Sequence, residues 1–163
     1  MKLNTIYISL LVISSCYPNP NKDKISAITT LPAFKIISPD GSKCINSEKL
    51  SSGNPILFVY FSPECEICQQ ETRELLGHIN KLNHIRIYMI ANEPSEATKR
   101  FCEAYRLDTA KNIFVGEDYN YSFYKAYLPP TVPFLAIYDS NRKLKKIYRE
   151  KPHINLIINS VGN

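Results

Sequence analysis

An unbroken run of apolar, β-forming residues, Ile56-Leu-Phe-Val-Tyr-Phe61, is followed after Ser62-Pro63-Glu64 by Cys65-Glu66-Ile67-Cys68. A run with no polar alternation predicts a central strand buried on both faces, in a sheet covered by helices on either side. From Cys65 to Lys81 the pattern changes: Ile67, Leu75, Leu76, Ile79 and then Leu82 recur at mostly helical spacings among polar residues. The cysteine pair therefore stands where a buried strand becomes a helix. At a helix amino terminus the unpaired N–H groups and the macrodipole favour a thiolate. Two cysteines three apart can reach each other there, so one attacks and the other resolves the mixed disulfide. Cys65, at the loop end, is the expected nucleophile, and Cys68 is the more buried resolving thiol.

The same spacing serves zinc sites, but those need two further ligands, usually a second close pair. Cys44 and Cys102 are isolated, and His78, His84 and His153 are scattered, each read as a surface or packing residue. A structural disulfide is the other alternative, although so short a loop constrains the unfolded chain only weakly. No metal is expected.

The remaining pattern fits an α/β domain with a mixed sheet flanked by helices. Ala33–Ser38 and Lys43–Asn46 flank the turn-rich Pro39-Asp-Gly-Ser42 and predict an amino-terminal hairpin. His84–Ala91 is a second strong strand, a helix runs from about Glu93-Pro94 to Arg106, and Ile113–Val115 is a short strand. Tyr119–Tyr127 reads as a helical turn or two, dense in aromatic residues taken mainly as core. Phe134–Tyr138 and Leu144–Tyr148 form a hairpin around Asp139–Lys143, and His153–Val161 closes the chain as a helix.

The amino terminus does not read as part of the domain. Lys2, a short apolar stretch to Ile13 and the small residues Ser14-Ser15 before Cys16 have the layout of a cleaved export signal. Residues 1–15 are the expected signal and 16–30 a polar, proline-containing tether. Residues 31–163 form the domain. No stretch reaches the roughly 18 apolar residues of a spanning helix. The formal charge of +5 lies largely in Arg142, Lys143, Lys145, Lys146, Arg149 and Lys151. With no aromatic interleaving, that run reads as a solvated strand face, and no nucleic-acid partner is expected.

Thr131-Val132-Pro133 stands immediately before the strand at Phe134. Proline cannot donate to a sheet ladder and belongs at a strand start, and X-Pro is the common site of a cis peptide. The segments Phe58-Val-Tyr-Phe-Ser-Pro-Glu-Cys-Glu-Ile-Cys-Gln-Gln-Glu71 and Pro130-Thr-Val-Pro-Phe-Leu-Ala-Ile-Tyr-Asp139 together resemble the thioredoxin superfamily. The branch is that of TlpA-like envelope reductases and the alkyl hydroperoxide reductase/thiol-specific antioxidant (redoxin) group, over about residues 31–160. The resemblance implies a thioredoxin-like fold with an extra amino-terminal β-hairpin. It implies a redox-active Cys65–Cys68 disulfide with no other cofactor, a cis Pro133, and Val132 offering backbone groups to an incoming peptide. Ile13-Ser-Ser-Cys16 likewise resembles the lipobox of bacterial lipoproteins, which implies a lipid on Cys16 and anchorage in the bacterial cell envelope, the domain facing the periplasm or cell exterior.

Departures from the family pattern bear on the chemistry. Glu64 takes the position of a usual Trp, and Val59 that of a buried acid, so water or another carboxylate must accept the resolving thiol's proton. Glu64 and Glu66 flank Cys65, and their charge disfavours a thiolate, which tunes the pair toward a reductant. The expected function is an envelope-anchored thiol–disulfide oxidoreductase acting on cysteine-containing envelope proteins. Without a nicotinamide or flavin motif, its electrons come from an upstream thiol donor. Two alternatives stand beside it. One is a redoxin-type peroxidase, for which Ser62 fits but Phe58 replaces the required proline. The other is a thioredoxin-fold binding lipoprotein without turnover. Cys44 and Cys102 are a further possible disulfide in an oxidising envelope.

Overall fold

The computed structural model describes residues 27–93 and 95–162. The expected signal at 1–15, Cys16 and the tether through residue 26 lie outside the described residues. Among the described residues no helix is long and apolar enough to cross a membrane.

The apolar run is the structural centre. The hairpin strands β1 (Lys35–Ile37) and β2 (Cys44–Asn46) precede it, and β3 (Ile56–Phe61) is buried at every residue. Along β3, Leu57, Val59 and Phe61 enter one hydrophobic layer while Ile56, Phe58 and Tyr60 enter the other, the two-residue alternation of a pleated strand. Strands β4 (Arg86–Ala91) and β5 (Ile113–Asp118) continue the sheet in parallel on one side of β3. On its other side β6 (Phe134–Tyr138) and β7 (Leu144–Tyr148) add antiparallel neighbours. The seven strands lie in the order β2-β1-β5-β4-β3-β6-β7, a mixed sheet.

Helices cover both faces. The chain forms α1 (Glu66–Gly77), α2 (Ser95–Tyr105), α3 (Ser122–Tyr127) and α4 (Ile154–Val161). Leu75 of α1, Phe101 of α2 and Ile154, Ile157 and Val161 of α4 pack with Leu57, Val59 and Phe61. Phe123 and Tyr127 of α3 pack with Phe34, Phe58 and Tyr60 on the opposite face.

Three expectations are sharpened. Strand β5 runs three residues past Val115, because Glu117 and Asp118 pair with Ile37 and Ile36 of the hairpin. The domain is held from Thr29, whose carbonyl accepts the Leu144 N–H at 3.0 Å, and Thr30 bridges Lys143. Ile67 is half exposed and leaves the buried stripe of α1 to Cys68, Glu71, Thr72 and Leu75.

Candidate active site

The connection from β3 to α1 is short and hydrogen-bonded. The Cys65 N–H donates to the Ser62 carbonyl at 3.2 Å, and the Gln69 amide donates to the Pro63 carbonyl at 3.0 Å. Cys65 then caps α1: its sulfur accepts the Cys68 N–H at 3.3 Å, where a serine or aspartate oxygen ordinarily sits. Cys65 is partly exposed and Cys68 is 1% exposed. Both are free thiols, the dithiol form of the pair. Burial pushes the Cys68 thiol well up, with Cys65 and Glu71 acting in the same direction, so it holds its proton until something takes it.

The proline loop meets this pair from the β6 side. The Val132–Pro133 bond is cis. The Cys65 thiol points at the Val132 carbonyl at 3.9 Å, and the Thr131 hydroxyl donates to the Arg149 carbonyl at 2.6 Å. Thus Cys65, Cys68, Val132 and Pro133, far apart in the chain, form one site at the carboxyl end of the central strand.

A residue not singled out from the sequence completes it. Glu71, three residues after Cys68 and on the same face of α1, is 1% exposed, and neither carboxylate oxygen has a hydrogen-bond partner. Burial pushes its carboxyl up from 4.5 to about 7, while Lys151 pulls it down and Glu74 pushes it further up. Lys151 is fixed by a 2.7 Å ion pair with Glu74. Val59, at the position of the family's buried acid, lies buried and apolar in the layer that also holds Cys68. A buried carboxyl comes instead from α1, where Glu71 acts electrostatically on Cys68. The signal in the sequence is a glutamate at helical spacing between Cys68 and Leu75, inside the buried stripe of α1.

No protein-family model matches the sequence, and no curated protein matches it. Solved structures do. A secreted disulfide oxidoreductase of Mycobacterium tuberculosis, homologous to E. coli DsbE, is 17% identical with a TM-score of 0.66, covering 78% of this chain and 93% of its own. A peroxiredoxin-like protein from Aquifex aeolicus is 17% identical with a TM-score of 0.65, covering 82% and 84%. This chain has the thioredoxin fold. A thioredoxin-like protein from Aeropyrum pernix, 14% identical with a TM-score of 0.64 over 79% and 88%, aligns in the same way. The hairpin β1–β2 is the amino-terminal hairpin expected from the sequence.

The other singled-out residues are placed as follows. Glu64 and Glu66 are exposed. The Ser62 hydroxyl donates to Glu93 at 3.3 Å and accepts the Glu64 N–H, so it is engaged away from the Cys65 sulfur. His153 caps α4, and His78 and His84 contact backbone carbonyls. Cys44 is exposed on edge strand β2 and Cys102 is partly buried on α2; both are free thiols, so the disulfide considered between them is not formed. The aromatic segment divides, with Phe123 and Tyr127 in the core and Tyr119, Tyr121 and Tyr124 exposed. Among the described residues no cluster of three histidine, cysteine or carboxylate side chains is placed to hold a metal.

Proposed function

We propose that the protein is a dithiol reductant of disulfides in cysteine-containing envelope proteins. The Cys65 thiolate attacks one sulfur of the partner's disulfide, forming a mixed disulfide and releasing the partner's other sulfur as a thiolate, which takes up a proton. Cys68 gives its proton to the Glu71 carboxylate. Its thiolate then attacks the Cys65 sulfur, closing the Cys65–Cys68 disulfide and releasing the partner's second thiolate. The partner gains two electrons and this chain loses two. An upstream thiol donor returns the pair to the dithiol.

The observation that carries the reading is the buried carboxyl of Glu71, without hydrogen-bond partners, beside a thiol that burial keeps protonated. A structural cysteine pair has no use for such a group, and a buried acid left unpaired is costly. The Val132 carbonyl beside Cys65 supports peptide docking along the proline loop. The peroxidase alternative is weakened by the engagement of Ser62 with Glu93 and by Phe58, which is packed in the core. We further propose that the lipid on Cys16 anchors the domain to an envelope membrane, on the strength of the sequence at residues 1–16.

Substituting each cysteine tests the order of attack. In Cys68→Ser the mixed disulfide cannot be resolved, so covalent complexes with protein partners accumulate. Cys65→Ser forms few. The reverse pattern overturns the assignment.

A further inference from the structure

We infer that Lys151 is a positioning residue for the proton transfer at this cysteine pair, its ammonium held beside the buried Glu71 by the ion pair with Glu74. The inference rests on the dithiol-exchange reading and adds to it a residue from outside the cysteine helix and the proline loop.

Lys151 lies on the short segment between β7 and α4, and that segment is fastened at both ends. The Thr131 hydroxyl holds the Arg149 carbonyl at 2.6 Å, and His153 caps α4 by accepting the Asn155 N–H. Pro152, between them, is buried. The Lys151 side chain is only 19% exposed, unusual for a residue that ordinarily reaches into water, and its Nζ lies 2.7 Å from Glu74 Oε1. Glu74 stands three residues beyond Glu71 on α1, a neighbouring position on the same helix face, and both Glu74 and Lys151 act electrostatically on the buried carboxyl.

The titratable groups acting on Glu71 come from two elements. Cys68 and Glu74 share its helix, and Lys151 comes from the β7–α4 segment. Burial and Glu74 both favour the protonated acid, and Lys151 opposes them. With the ammonium in place the carboxyl is poised to ionise near neutrality and can accept the Cys68 proton. Without it Glu71 stays protonated there, and resolution of the mixed disulfide stalls. Because the lysine is fastened through Arg149 to Thr131, the loop that receives the partner and the cation that conditions the acid share one support.

The test follows carboxyl ¹³C NMR titration of Glu71 and the pH profile of protein-disulfide reduction in the unaltered protein, Lys151→Met, Lys151→Arg and Lys151→Met/Glu74→Gln. Exchange in the unaltered protein should fail as pH drops through about 7. In Lys151→Met both the carboxyl titration and that acid limb should move up by about one pH unit, making exchange at neutral pH about fivefold slower. Lys151→Arg should keep the original limb, and the double variant should fall between. A limb unmoved in Lys151→Met, or moved as far in Lys151→Arg, overturns the inference while leaving the exchange reading intact. Absence of exchange by the unaltered protein at every pH overturns the exchange reading, and the role of Lys151 with it.

Discussion

Replacing Glu71 by glutamine should make the protein more stable at neutral pH and slower in exchange, two effects of opposite sign from one group. Burial raises the folded-state value from 4.5 to about 7, at about 1.4 kcal/mol per unit, so ionised Glu71 costs the fold about 3 kcal/mol. The sign follows from which state holds the proton. Below 4.5 the carboxyl is protonated folded or unfolded, and its contribution is fully present. Between 4.5 and about 7 the unfolded chain releases the proton while the folded chain keeps it, so stability falls with rising pH. Above about 7 both states are ionised and the loss is complete. Glutamine has nearly the same shape and no titration, and its unpartnered amide adds only a pH-independent offset. Urea unfolding of both proteins from pH 4 to 8.5 reports mainly this group, because titrations not coupled to Glu71 cancel in the difference. That difference should move toward the glutamine variant by about 3 kcal/mol, mostly between pH 4.5 and 7. In stopped-flow decay of the mixed disulfide at pH 8, the same variant should resolve on the order of a hundredfold more slowly. A stability difference flat across pH, or unimpaired resolution, would refute the role given to Glu71.

Two further outcomes follow from other parts of the chain. Cys16→Ala removes the thiol that would carry acyl chains, each buried CH₂ of which is worth about 0.8 kcal/mol, so the protein should leave the membrane fraction; unchanged fractionation rejects the anchor. Gly116→Ala places a Cβ 2.7 Å from the Ile37 carbonyl oxygen, a backbone atom that cannot swing away. The contact between β5 and the hairpin must open, costing about 1–3 kcal/mol of stability, and a chemical-denaturation midpoint equal to that of the unaltered protein would contradict it.

The parts of the fold that could be read from sequence are those written in local chemistry. The Ile56–Phe61 run, the turn at Pro39–Ser42 and the proline before Phe134 each state a backbone requirement within a few residues, and each is met. Less legible were features fixed by partners distant in sequence. Strand β5 owes its last three residues to the hairpin, which nothing near Gly116 announces. The aromatic segment looked uniformly apolar, but consecutive left-handed residues at Asn120 and Tyr121 precede α3 and orient its short helix. Phe123 and Tyr127 thereby point inward, while Tyr121 and Tyr124 are left in solvent. The place of Cys65 and Cys68 at the start of α1 is legible because they directly follow the apolar run. Glu71 is not, because a glutamate on a helix is ordinarily solvated and only burial turns it into a reactive group.

Placing the acid on α1 rather than on β3 has a mechanical consequence. An acid at Val59 would approach the resolving thiol from the strand beneath, across a packed interface between two elements. At Glu71 the acid and the thiol belong to one helix, three residues apart, and keep their relation through any movement of α1 against the sheet. The cost of burying a carboxyl is thereby shifted onto the helix and onto whatever cation can reach it. That cation is Lys151, on the segment fastened to the proline loop. In the proposed exchange the helix supplies both the thiol and its proton acceptor, while the adjoining segment adjusts how readily the acceptor ionises. The proton affinity of the site therefore rests on the docking of the β7–α4 segment against α1, and a substitution that loosens that segment should slow resolution before it disturbs the cysteines themselves.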